Sequence, residues 1–151
     1  MSYSTVRDLL ELSEQLHRQA AGLFQQLRDG TQKERVDLVM QLLAAHEEHQ
    51  AEAMARVCED SSSAVLAEWH QIEPGNLAEA LGNCERCHDD MSVDEVVDLA
   101  CRISDYLSGL YRQVASEAAS NGVRELFTSL VDFEKNQKIA AVRAALSAND
   151  W

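Results

Sequence analysis

Residues 96–137 read VVDLACRISDYLSGLYRQVASEAASNGVRELFTSLVDFEKNQ. Apolar side chains recur here at steps of three and four. Val93, Val96, Val97, Ala100, Ile103, Leu107, Leu110, Tyr111 and Val114 form one stripe, and Val123, Leu126, Phe127, Leu130, Phe133, Ala141 and Ala145 form a second. Each is the buried face of an amphipathic helix. Ser120-Asn-Gly122 breaks the pattern between them, and Ser92-Val-Asp-Glu95 is a capping box that opens the first. The segment is therefore an antiparallel helical hairpin.

The N-terminal half repeats the design. Val6, Leu9, Leu16, Ala20, Leu23, Phe24 and Leu27 mark one helix, closed by Asp29-Gly30, where Gly30 suits a left-handed cap. Thr31-Gln-Lys-Glu34 reads as the capping box of the next, whose stripe is Val36, Val39, Leu42, Leu43, Ala53 and Val57. Gly22-Leu-Phe24 matches Gly109-Leu-Tyr111 at an offset of 87 residues, so each hairpin is a version of the other. The expected helices are about 5–28, 33–58, 93–119 and 123–147. The crossover, 59–92, holds short helical pieces at Ala64–His70 and Asn76–Leu81, with Trp69 expected to anchor it on a bundle face. The expected fold is all-α: one domain over 1–151, a four-helix bundle of two hairpins joined by a long crossover.

Composition narrows the function. The 151 residues carry a formal charge of −13, which repels phosphate backbones and anionic lipid and argues against nucleic-acid and membrane binding. No apolar run approaches the ~20 residues of a bilayer span. The charged N-terminus lacks the apolar core of a secretory signal, which makes the cytoplasm the expected compartment. There Cys58, Cys84, Cys87 and Cys101 are expected as thiols or ligands, with Cys101 a packing residue.

Polar residues interrupt the stripes at matching heights. They are His17 in the first helix, His46 and His49 in the second, Ser104 in the third, and Glu134 and Gln137 in the fourth. His17 precedes Phe24 by seven residues, as Ser104 precedes Tyr111; 29 residues separate His17 from His46, and 30 separate Ser104 from Glu134. Folding the hairpins brings all six near one level of the core.

The third and fourth helices resemble the C-terminal half of a rubrerythrin-type domain, and the likeness to the ferritin-like superfamily extends over most of the chain. That resemblance implies a Glu on helix 1, Glu-x-x-His on helix 2, a Glu on helix 3 and Glu-x-x-His on helix 4, together binding two irons. Carried onto this chain, the positions fall at His17, at His46 and His49, at Ser104, and at Glu134 and Gln137. Only His49 and Glu134 then keep the family's residue, so the two-iron site is degenerate. Three imidazoles and one carboxylate suit one divalent ion instead, with Fe, Zn, Ni, Cu and Mn all chemically reasonable. His17, His46, His49 and Glu134 are its expected ligands, with Ser104 and Gln137 holding a water or orienting a ligand. The alternative is a metal-free, non-enzymatic scaffold or interaction module, expected as a homodimer, in which the polar layer persists as a hydrogen-bonded set. Peroxidase or ferroxidase chemistry is disfavoured by the four replaced ligand positions.

Cys84-Glu-Arg-Cys87-His88 matches the c-type haem attachment pattern, but that chemistry belongs outside the cytoplasm and haem is not expected. Zinc held by Cys84, Cys87 and His88, with Cys58 or His70, is a weaker alternative, and a redox dithiol another.

Overall fold

The computed structural model describes residues 3–73, 75–81 and 90–149. Four long helices form the bundle: α1 (Val6–Gly30), α2 (Glu34–Asp60), α5 (Val93–Glu117) and α6 (Asn121–Asn149). The crossover between α2 and α5 contains the single turns α3 (Ser63–Leu66) and α4 (Leu77–Ala80). α1 packs along α2 and α5 along α6, with α2 against α6 and α1 against α5 closing the square. The architecture is the all-α pair of hairpins that the stripes predict.

The caps follow from side chains that satisfy the first free amides of each helix. Thr5 and Asp8 form a capping box on α1, and Ser92 and Glu95 form the one expected on α5. The Asn76 side chain accepts from the Glu79 amide at the start of α4, and Ser120 Oγ accepts from Val123 N at the start of α6. The expected box at Thr31–Glu34 does not form. Thr31 is the extended residue that ends α1 (φ −87°, ψ 143°), and its hydroxyl accepts from Lys33 N. Lys33 precedes α2 without a side-chain cap, and α1 runs through Gly30 rather than stopping before it.

The crossover departs from expectation at Trp69 and His70. These residues form not a helix but a two-residue strand, β2, paired antiparallel with β1 (Ser4–Thr5), Ser4 opposite His70 and Thr5 opposite Trp69. Glu68 explains the change. Its carboxylate accepts from Ser120 N at 3.0 Å and Ala119 N at 3.4 Å, and it pairs with His70 Nε2 at 2.6 Å. This ties the crossover to the α5–α6 turn and holds Trp69 outward, 64 % exposed, instead of anchoring it on the bundle. The core is one apolar cluster running the length of the bundle, with Tyr111 and Phe127 edge to face at 5.8 Å between ring centres. No helix among the described residues is long and apolar enough to cross a membrane.

Candidate functional site

The stripes of α1, α2, α5 and α6 are interrupted in the middle of the bundle by a fully enclosed polar layer. His17 of α1 is its centre. Its Nδ1 lies 2.5 Å from Glu47 Oε2 and its Nε2 lies 2.8 Å from Glu134 Oε1, so one ring joins α2 of its own hairpin to α6 of the other. All three side chains are buried to within 1 %. Burial alone would push the His17 ring toward neutrality. The hydrogen bonds to Glu134 and Glu47 and the charges of both carboxylates outweigh it, raising the pKa from 6.5 to about 9. At neutral pH the ring is an imidazolium donating from both nitrogens. Burial holds the Glu134 carboxyl above its ordinary range, against the opposing pull of His17.

Around this triad the remaining polar groups are matched. Gln50 satisfies its neighbours when its amide oxygen accepts from His46 Nε2 at 2.8 Å and its nitrogen donates to Glu134 Oε1 at 3.1 Å. Ser104 of α5 is buried and hydrogen-bonds the Glu134 carboxylate. Burial lowers the pKa of His46, with the His17 charge adding to the effect. Among the described residues, no buried side-chain nitrogen or oxygen lacks a partner.

His17, Ser104 and Glu134 thus stand where the sequence places them. Gln137 is half-buried one turn further along α6. The second helix is the correction: α2 is turned one residue from the expected phase. Glu47 and Gln50 face inward, His46 is half-buried at the edge of the layer, and His49 is exposed. An exposed His49 is not brought together with the others, and the side chains that take its place, Glu47 and Gln50, escaped the sequence reading. The signal was present in the repeat. Moving Glu134 and Gln137 back by 87 residues lands on Glu47 and Gln50, and the 30 residues from Ser104 to Glu134 equal the 30 from His17 to Glu47.

With the phase corrected, the layer is Glu47-x-x-Gln50 on α2, Glu134-x-x-Gln137 on α6, His17 on α1 and Ser104 on α5. The chain keeps both helix-2 and helix-4 glutamates of the two-iron pattern and replaces the other four positions. Two carboxylates cannot balance two divalent irons, and both histidines of the pattern have become amides. This donor set does not fit a di-iron centre. Among the described residues, no group of three or more His, Cys, Asp or Glu side chains is arranged to hold a metal ion.

Cys101 lines a small pocket beside His46, Glu47 and Ser104 at the edge of the layer. Cys58 and Cys101 are free thiols, and burial pushes the pKa of both upward, away from reactivity. His70 is committed to Glu68 rather than to Cys58. Cys84, Cys87 and His88 lie outside the described residues.

Comparison of the whole structure with solved ones places the architecture. A Thermotoga maritima protein described as a ferritin-like diiron-carboxylate protein superposes with a TM-score of 0.60, over 96 % of this chain and 97 % of that one, at 15 % identity. The fold is ferritin-like. No protein-family profile matches the sequence, and no curated protein matches it either.

Proposed function

We propose that this chain is a non-enzymatic ferritin-like helical module whose core layer is closed by a protonated histidine in place of metal. The observation that carries this reading is the His17 ring, each of whose nitrogens is occupied by a buried carboxylate. In the ferritin-like pattern, cations neutralise the inward-facing glutamates. Here the imidazolium supplies that positive charge. Ser104 and Gln50 complete the hydrogen bonding of Glu134, as the stability of a buried ionic network requires. The role left for such a bundle is that of a scaffold for an interaction.

The description of the Thermotoga neighbour as a diiron-carboxylate protein supports a second reading, in which one divalent ion displaces the shared proton and is bound by His17 with Glu47 or Glu134. The two ring nitrogens point to opposite carboxylates, so one ion could engage only one side of the ring.

Elemental analysis separates the two. Protein incubated with Fe(II), Zn(II) or Mn(II) and then desalted is expected to hold no stoichiometric metal and to melt at one temperature with or without chelator. About one ion per chain, lost in Glu134→Gln, would establish the second reading.

A further inference from the structure

We infer that the pocket between α5 and α6 beside the polar layer holds one water molecule, hydrogen-bonded to Glu47 and Ser104, which completes the layer as a member the chain does not supply. The inference shares residues with the proposed function, but it rests on hydrogen-bond geometry and not on the charge of His17. The cavity has a volume of about 10 Å³. Buried Glu47 and Ser104 line it, with half-buried His46, Cys101 and Lys138. The Lys138 ammonium is drawn away to exposed Asp105 at 2.6 Å. One water needs roughly 10–15 Å³ of such space and at least two polar partners.

The duplication explains why a water belongs there. Glu47 and Glu134 are equivalent positions, 87 residues apart. Glu134 accepts from three groups: His17 Nε2, the Ser104 hydroxyl and, in the orientation that satisfies its neighbours, the Gln50 amide nitrogen. Glu47 accepts from one. His17 Nδ1 donates to its Oε2, and among the described residues no other donor reaches the carboxylate. Gln137, the counterpart of Gln50, is half-buried and gives Glu47 no hydrogen bond. A buried carboxylate short of donors costs stability. Every sealed side-chain oxygen of the described residues has a partner, so Glu47 Oε1 is not sealed, and it opens on the cavity that Glu47 lines.

The partners fix how the water sits. A carboxylate only accepts, so the water donates one hydrogen to Glu47 Oε1. Ser104 commits its own hydrogen to Glu134, and its oxygen accepts the water's second one. The Cys101 thiol is a weak donor toward the water oxygen. Glu47 of α2 is thereby joined to Ser104 of α5, a link that the direct contacts of His17 do not make. Two acceptors on one small cavity match the two hydrogens of water. They do not match a metal ion, because among the described residues no three His, Cys, Asp or Glu side chains converge to hold one.

A high-resolution crystal structure of the full chain, with an anomalous-scattering map, tests this. The expected result is a peak within hydrogen-bond distance of Glu47 Oε1 and Ser104 Oγ that carries no anomalous signal. In solution, the water is expected to give long-residence nuclear Overhauser contacts to the Ala100 and Ala141 methyl groups, which line the cavity. Val97→Ile adds to the cavity wall one methyl group, about the size of a water. It is expected to abolish those contacts and to lower the urea midpoint, because Glu47 loses its second donor. An empty cavity in the crystal, missing contacts in the parent, or a midpoint raised by Val97→Ile, as filling a dry cavity would give, would each overturn the proposal. So would a peak with the anomalous signal of a metal, which would also support the second reading above. Metal found by elemental analysis and bound elsewhere in the layer would overturn the proposed function and leave this water standing.

Discussion

His17 Nε2 and Glu134 Oε1 lie 2.8 Å apart across the bundle, 117 residues apart in sequence, with neither side chain reached by solvent. This contact, with its counterpart from His17 Nδ1 to Glu47, ties α1 to both α2 and α6 at the centre of the bundle, where Gln50 also reaches Glu134. Removing one member of a buried ionic set leaves the others desolvated and unpaired. His17→Ala is therefore expected to lower the unfolding free energy by about 3–5 kcal/mol in urea denaturation. Replacing His17, Glu47 and Glu134 together by leucine or methionine is expected to restore stability to near that of the parent. A His17→Ala variant as stable as the parent would show that the layer contributes nothing.

The same proton makes stability depend on alkaline pH. The folded His17 pKa, about 9, lies above the unfolded value of 6.5, so the folded state retains a proton that the unfolded state has released. Its contribution is complete below pH 6.5 and is lost as pH rises through about 9. The loss is on the order of 3 kcal/mol. Denaturant midpoints measured across this window should fall for the parent and stay nearly level for His17→Gln. A parent midpoint that is flat or rises would mean that the ring is neutral in the fold.

The replaced ligand positions can be put back. His17→Glu, Gln50→His, Ser104→Glu and Gln137→His together recreate the full set of four glutamates and two histidines of the two-iron pattern. This variant is expected to bind about two irons per chain, read by elemental analysis and by the near-ultraviolet absorption of the oxidised centre. The alternative phase, His17→Glu, His46→Glu, Ser104→Glu and Gln137→His with His49 kept, is expected to fail. If the two constructions bound iron equally well, the phase assigned to α2 would be wrong.

Glu68 offers a prediction far from the layer. Its carboxylate receives two backbone amides of the α5–α6 turn and the ring of His70, and these contacts, with the surrounding hydrogen bonds, hold its pKa below the ordinary value against the upward push of burial. Glu68→Ala is expected to cost about 1–3 kcal/mol. It should also raise amide exchange selectively around β1, β2 and the start of α6. Glu68→Gln should recover part of the loss. Uniform exchange across the molecule would argue that the crossover is held by other contacts.

Most of the bundle was legible because its signals are local or periodic. The stripes of α5 and α6, the Ser92–Glu95 box and the break at Ser120–Gly122 each specify a helix or its end within a few residues. The β1–β2 pair was hidden because Ser4 and Trp69 are far apart in sequence, and two-residue strands have no period. Thr31–Glu34 matched a capping pattern, but α1 continues through Gly30, and Thr31 is spent on ending it. The polar layer was half legible. His17, Ser104 and Glu134 interrupt clean stripes, but around residues 46–50 the sequence His-Glu-Glu-His-Gln offers a polar side chain at every phase. The histidines there fit a metal-ligand pattern, whereas the fold buries Glu47 and Gln50. Only the exact spacing of the repeat separates these choices, and a one-residue error turns an inward side chain outward.

The two hairpins are related by 87 residues, and that relation pairs Glu47 with Glu134, Gln50 with Gln137, and His17 with Ser104. Only the last pair is chemically unlike. One half of the duplicated unit contributes a cation and the other a small hydroxyl, so the molecule carries its own counter-ion on a covalent tether. A tethered charge cannot be chelated, exchanged or starved away, and its occupancy is set by pH alone. On the metal-free reading proposed above, a bundle closed in this way would assemble equally well whether iron is scarce or abundant.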